Sequence, residues 1–405
     1  MTQTHPPRTG PRPLPLHLAT ATSGWISSRN ALQILKDGSA NWRPELAEKA
    51  ASLKAALEQS PEDQFPEAVD REIQARLTAF SAGVSQYQNH PYQRNLEDPD
   101  VIWEGGTARL LDYGPATGKP VLFIPSLVNK AYILDLSERR SLLRWMAAET
   151  GLRPLLMDWG TPGPVERQYS LTDYIKGPLE SALTEVRALS DGPVPVVGYC
   201  MGGLLALALA AERPADISGL VMLATPWDFH TERVAQAGAL AQAIKAAATL
   251  LEATGELPVD IIQSLFSALD PFLVTRKFVK FAKMNQTSPA AEDFVALEDW
   301  LNDGVPLAGP VATECMGGWY GNNTPHNATW QIAGRNVDPR NIDTPTLVLV
   351  PQHDRIVPPA SAYALADALP AAESLTVRLG HIGMVAADQA QSVVWEPLSA
   401  WLNAH

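Results

Sequence analysis

The stretch from Val194 to Gly203, Val-Pro-Val-Val-Gly-Tyr-Cys-Met-Gly-Gly, constrains this chain more than any other. A short valine-rich apolar run reads as a buried strand, and the Leu204-to-Ala211 run after it reads as a buried helix. Between them lies Gly-x-Cys-x-Gly, the pattern of a nucleophile elbow with cysteine at its centre. So tight a strand-to-helix turn holds Cys200 in a strained backbone conformation. The residues two before and two after it must be small, or their side chains would strike neighbouring backbone. The helix start then aims free N–H groups and the positive dipole end at the sulfur, favouring thiolate. The competing reading is a glycine-rich turn beside a buried, inert cysteine. A strand on one side and a helix on the other favour the nucleophile.

Composition narrows the field further. A chain of 405 residues, 46% hydrophobic and 19% charged, has the material for a large core with insertions, or for two domains. Its net charge of −13 argues against nonspecific nucleic-acid binding and against attraction to an anionic membrane. Two cysteines allow no disulfide framework and no zinc cluster, so a reducing cytoplasm is the expected compartment. Met1 to Gly10 lack a signal-peptide pattern, and no apolar run reaches membrane-spanning length. The 34 prolines suit many loop-to-strand entries, and the 11 tryptophans suit a broad apolar site or a large core.

Residues 1–30 read as a proline-rich, then weakly apolar, arm packed on the body, disordered before Pro11. Helical patterns follow, one from Pro44 carrying Leu46, Ala50, Leu53, Ala56 and Leu57 on one face, another from Pro66 to about Val84. From residue 107 strands and helices alternate: strands at 107–113, 120–125, 153–159, 194–199 and 218–224, helices at 141–150, 171–189 and 204–211. Such alternation predicts a mostly parallel sheet covered by helices on both faces. It stops after Pro226, where helices at 234–253 and 260–269 lead into a stretch read as loop-rich and aromatic. It resumes with strands at 346–350 and 374–378 and helices at 360–369 and 385–403. The expected organisation is therefore an N-terminal arm and helical extension (1–95), a first core segment (96–226), an inserted cap or lid (227–342) and a second core segment (343–405). The insertion falls near the strands' carboxyl ends, where ligands bind in open α/β sheets.

A cysteine nucleophile needs a base, and the base an orienting carboxylate. In the α/β-hydrolase fold they follow in the order nucleophile, acid, histidine. Asp354 lies just beyond the first strand after the insertion and His381 beyond the last. Alone, Asp354 could cap a helix and His381 could be a turn histidine; three loops in the right order make a Cys200–His381–Asp354 triad. The oxyanion hole should combine the N–H of Met201 with one from the loop after strand 120–125, either Ser126 or Leu127. Asp158, which precedes the nucleophile, and His353, beside the acid, read as structural. His230 opens the cap and could face the site or solvent. Cys315 sits in Glu-Cys-Met-Gly-Gly without a preceding buried strand, and Thr313 stands where the turn wants glycine, so it is rejected as nucleophile.

The segment Phe123 to Leu136, with Asn129-Lys130-Ala131-Tyr132-Ile133-Leu134-Asp135-Leu136, resembles a characteristic segment of polyhydroxyalkanoate synthases. Asp158-Trp159-Gly160-Thr161-Pro162-Gly163, Ser170 to Ile175, the Gly198-to-Gly203 box, Asp354 to Pro359 and Gly380 to Gly383 are similar to further motifs of that family, nearest its short class III type. The resemblance covers residues 90–220 and 330–390. It implies an α/β-hydrolase fold and an acyltransferase that polymerises (R)-3-hydroxyacyl-CoA into polyester, releasing CoA. Cys200 would carry the acyl group, His381 act as base and Asp354 orient it. It further implies no cofactor beyond the CoA thioester substrate, a homodimer or a complex with a second synthase subunit, and a cytoplasmic place at polyester granules. Asn129, with Trp319 and Tyr320 of the lid, is read as substrate-binding, and Trp330 as helping to exclude water. Four features depart from the family pattern: Arg355 where many members carry histidine, Ser126 for a proline, a long N-terminal extension, and a poorly matching cap. A hydrolase using the same triad, either thioesterase or intracellular depolymerase, is the competing activity. A non-catalytic granule-associated protein is the third reading.

Overall fold

The computed structural model describes residues 7–61, 64–232 and 234–405. The chain divides into two compact units, one drawn from residues up to Tyr92 with 270–302, the other from residues 93–269 with 303–405.

The second unit carries the sheet. Its eight strands are β1 (Asp100–Gly105), β2 (Ala108–Asp112), β3 (Lys119–Ile124), β4 (Leu152–Asp158), β5 (Val194–Tyr199), β6 (Ile217–Leu223), β7 (Thr346–Pro351) and β8 (Ala372–Val377). Their spatial order is β1-β2-β4-β3-β5-β6-β7-β8. β2 runs antiparallel to both β1 and β4; every other pairing is parallel. The central strands are apolar along their whole length because helices cover both faces: β5 and β7 are buried at every residue. The helix Met201–Glu212 is hydrophobic all round, and its first ten residues are buried. It is a core helix rather than an amphipathic surface one.

The mostly parallel sheet, its helices and the insertion between β6 and β7 agree with the sequence reading. The helix expected over 171–189 forms with a π-helical turn at Ile175–Leu179, where Pro178 cannot donate an N–H. The final helix likewise divides into Gly383–Ala386, a π segment at Gln391–Trp395 and Glu396–Ala404.

Two expectations are corrected. The arm read over residues 1–30 holds helix Leu14–Asn30, and a second helix, Leu32–Asp37, follows it. The first buries only His17 and Ala21 and leaves Leu16, Leu18 and Ile26 exposed, so no apolar stripe marked it in the sequence. Of the segment expected to be disordered before Pro11, residues 1–6 lie outside the described residues, and Arg8 is held by Asp299 and by the carbonyls of His90 and Tyr92. The stretch read as loop-rich holds helices Leu273–Phe281 and Pro289–Asn302 and a helical run from Gly309 to Gly321, π-wound from Glu314. Phe278 and Phe281 do stand at helical spacing, and Pro289 occupies a first-turn position. Their aromatic weight and the four glycines of 309–321 masked the period.

In the first unit, Phe80, Val84 and Tyr87 of helix Gln64–Gln88 pack on Phe278, Phe281 and Val295. Gly83 makes the close approach possible, since a β-carbon there would stand 2.2 Å from the Phe278 carbonyl oxygen. Residues 270–302, expected inside the cap, thus cluster with the N-terminal helices.

Candidate active site

Cys200 directly follows β5 and caps helix Met201–Glu212 with φ 56° and ψ −124°. A non-glycine residue at positive φ is uncommon and strained. Its backbone is held on both sides: its N–H donates to the Leu223 carbonyl at 2.8 Å, and its own carbonyl accepts from Gly203 at 3.0 Å. Neighbouring sequence makes the turn possible. A β-carbon on Gly198 would lie 2.4 Å from the Gly203 α-carbon, and one on Gly202 would lie 2.0 Å from the Ile124 carbonyl oxygen. Both are distances no side chain tolerates. Gly202 therefore brings the first helical turn against the end of β3, where the loop carrying Ser126 and Leu127 begins.

That loop is fixed independently. Trp159 Nε1 donates to the Pro125 carbonyl at 3.1 Å, and Ser126 Oγ accepts the Val128 N–H at 3.1 Å. Met201, as the first residue of a helix, offers an N–H without an intrahelical acceptor.

The loops after β7 and β8 bring the other two groups together. Asp354 is buried; its Oδ1 accepts the N–H groups of Ile356 at 2.8 Å and Val357 at 2.9 Å. Its Oδ2 lies 2.7 Å from Nδ1 of His381, itself buried. The Cys200 side chain is near enough to the His381 ring to act on its protonation. Burial acts to lower the affinity of this ring for a proton. The neighbouring Cys200, and with it the charge and hydrogen bond of Asp354, outweigh it and raise the His381 pKa to about 10. Asp354 turns Nδ1 into a donor, which leaves Nε2 for the sulfur.

The inserted segment meets this site through an aromatic group. Phe229 stacks on Trp319 at 5.8 Å between centroids and meets the edge of Tyr320 at 4.8 Å, while Trp319 is T-shaped to Trp330 at 5.4 Å. The Tyr320 phenol is pushed well above its ordinary pKa, first by burial and then by the neighbouring sulfurs of Cys200 and Cys315. His230 is turned inward, its Nε2 2.7 Å from the Tyr320 carbonyl oxygen. Asn323 clamps the same turn, accepting the Phe229 N–H at 3.0 Å and donating to Asp228 Oδ1 at 2.8 Å. The sequence leaves His230 open between site and solvent and gives Asn323 no functional mark. Its φ of 51° suits the tolerance of asparagine for left-handed backbone, the one signal that could have pointed to it.

The remaining candidates fall as follows. Asn129 bridges to Gly304, and its Oδ1 is buried with no hydrogen-bond partner; the buried Trp319 Nε1 and Trp330 Nε1 lack one too. Asp158 pairs with Arg109 at 2.6 Å and accepts the Gly160 N–H, a structural role. His353 is exposed. Cys315 is buried in the π segment, and burial, followed by Glu314, pushes its thiol well up. An inert sulfur is the result. Among the described residues no group of three or more histidines, cysteines or carboxylates could hold a metal ion, and no helix is long and apolar enough to cross a membrane.

Comparison with known proteins identifies the fold and the family. Residues 147–386 match the family model described as alpha/beta hydrolase fold, and residues 94–146 match "Poly-beta-hydroxybutyrate polymerase (PhaC) N-terminus". A protein of Allochromatium vinosum named poly(3-hydroxyalkanoate) polymerase subunit PhaC is 30% identical, over 70% of this chain and 80% of its own length. The chain belongs to the poly(3-hydroxyalkanoate) polymerase family. Members of the same name from Haloarcula marismortui and Haloferax mediterranei are 28% and 27% identical over 75% of this chain. The chain spans about two thirds of these haloarchaeal relatives' lengths, 67% and 63%. The polymerase N-terminal match covers β1 to β3, the loop with Ser126, Leu127 and Asn129, and the buried Asp135, whose carboxylate is held by Arg94, Arg144 and Ser141.

Proposed function

We propose that this chain is an acyltransferase that polymerises (R)-3-hydroxyacyl-CoA into a polyhydroxyalkanoate, with Cys200 as nucleophile, His381 as acid and base and Asp354 as its orienting carboxylate. The observation that carries the reading is a buried imidazole hydrogen-bonded to a buried carboxylate and acted on by the neighbouring elbow cysteine. A ring kept protonated next to a sulfur is the setting for a thiolate–imidazolium pair. The thiolate attacks the thioester carbonyl, and the oxyanion receives N–H groups from Met201 and from Ser126 or Leu127. The carbon–sulfur bond to CoA breaks, and the imidazolium gives its proton to the departing sulfur. The ring, now neutral, takes the proton of an incoming 3-hydroxyl as that oxygen attacks the acyl-cysteine. The bond to Cys200 breaks and the thiolate returns beside the imidazolium. One thioester is exchanged for another and then for an ester, so no external energy source is needed.

Asn129, Trp319 and Tyr320 belong to the substrate's surroundings in this reading. The unpartnered Oδ1 of Asn129 and Nε1 of Trp319 are groups a polar acyl chain can satisfy. The aromatic group fastened by His230 and Asn323 would keep water from the acyl-cysteine. The resemblance also carries the proposals of self-association or a second synthase subunit, and of work at the polyester surface.

The test is to give purified full-length protein 3-hydroxybutyryl-CoA. The expected result is CoA release matched by insoluble polyester. CoA release with only free 3-hydroxybutyrate would identify a hydrolase, and no release would remove the acyltransferase reading.

A further inference from the structure

We infer that Tyr199 is a positioning residue for the base, its hydroxyl tying the main chain of His381 to the strand that leads into the nucleophile. The inference rests on the triad reading and adds to it a residue outside the triad.

Tyr199 is the last residue of β5 and buried, immediately before Cys200. Its Oη donates to the His381 carbonyl oxygen at 3.1 Å. Its ring lies against the imidazole, with centroids 5.3 Å apart and planes inclined by 32°. The base loop has two other attachments near the histidine: His353 N–H donates to the Leu379 carbonyl at 2.9 Å, and the imidazole reaches Asp354. Both fasten it to the acid loop. Tyr199 alone among these contacts fastens it to the nucleophile's own strand. The strained turn at Cys200 fixes the sulfur relative to β5, so a tether from β5 to His381 sets the sulfur-to-ring geometry directly. Position 199 needs no hydroxyl to make the elbow, and a buried phenol without an acceptor would be costly. Pairing with the His381 carbonyl resolves that cost and performs the positioning.

The charged or titratable groups acting on His381 are Cys200 and Asp354, with the Tyr199 phenol packed against its ring. The phenol is pushed well up by burial and then by Cys200 and Asp354, so it remains a neutral donor. Tyr199 therefore acts through distance and angle rather than through charge.

The test compares wild type with Tyr199→Phe, which keeps the ring in place, in full-length protein. Two readouts are needed: steady-state kinetics with 3-hydroxybutyryl-CoA, and the pH dependence of Cys200 alkylation by iodoacetamide, read on the Cys200 peptide. Alkylation does not require polymerisation. In Tyr199→Phe, kcat is expected to fall about tenfold, the loss of one hydrogen bond, with KM little changed. Alkylation at about pH 6, where an ordinary thiol is almost wholly protonated, should fall relative to that at about pH 9. An unchanged kcat and alkylation profile would overturn the inference, as would a change confined to KM or to melting temperature. If wild type reacts like an isolated thiol, the triad fails and the Tyr199 role with it. If wild type shows the ion-pair profile but makes no polymer, the polymerase reading fails while the role of Tyr199 is still decided by the variant's profile.

Discussion

Replacing Cys200 by alanine is expected to remove CoA release from 3-hydroxybutyryl-CoA altogether, a loss of roughly six orders of magnitude that reaches the detection limit. The physical reason is that no other nucleophile stands at the elbow. The strained backbone at φ 56° sets Cys200 alone at the turn between β5 and helix Met201–Glu212. Cys315→Ala should leave the rate near wild type, because its thiol is buried and held protonated by burial and Glu314. The pair of variants separates a sulfur that reacts from one that only fills space. Steady-state CoA release with both purified variants checks it. Measurable turnover in Cys200→Ala, or its loss in Cys315→Ala, would contradict the assignment.

Asp354→Asn should lower kcat by roughly 10³–10⁴-fold with the fold intact, because an amide can present its N–H to Nδ1 and stabilise the wrong tautomer. Its pH behaviour is as informative as its size. With the His381 pKa raised to about 10 in the folded protein, the ring's favourable contribution to stability is complete below its ordinary value of about 6.5 and is lost as pH rises through about 10. Removing Asp354 takes away one of the contributors to that elevation. The stability difference between wild type and Asp354→Asn should therefore be widest on the acid side of this window and shrink through it. The alkaline limb of kcat should move to lower pH in the variant. Denaturant midpoints and kcat profiles between about pH 6 and pH 10.5 measure both effects. A variant with wild-type kcat and an unmoved alkaline limb would exclude Asp354 as the orienting group.

Much of the sheet was readable because parallel strands buried on both faces are written as unbroken apolar runs. Val194-Pro195-Val196-Val197 and Thr346-Leu347-Val348-Leu349-Val350 are such runs, and both become central strands. The contact between Asp354 and His381 was readable for a related reason: loops at strand ends are brought together by the strand order, so chain order carries spatial information. The surroundings were less legible. Tyr199 reads in the sequence as the last apolar residue of a strand, and only the path of the base loop reveals what its hydroxyl meets. His230 and Asn323 act on backbone groups of residues about ninety positions away in the chain, and no local pattern encodes that distance. The helices at Leu14–Asn30 and Pro289–Asn302 were missed because the first shows no regular apolar stripe and the second opens on a proline after the polar run Asn285 to Ser288, which reads as a loop.

The most direct measurement is the mass of the Cys200 peptide after brief exposure of the wild-type protein to 3-hydroxybutyryl-CoA and an acid quench. A gain equal to one or more hydroxybutyryl units on that peptide, labile to hydroxylamine and absent in the Cys315 peptide, is the predicted result. CoA released at full rate with Cys200 unmodified, or the acyl group found on another residue, would contradict it.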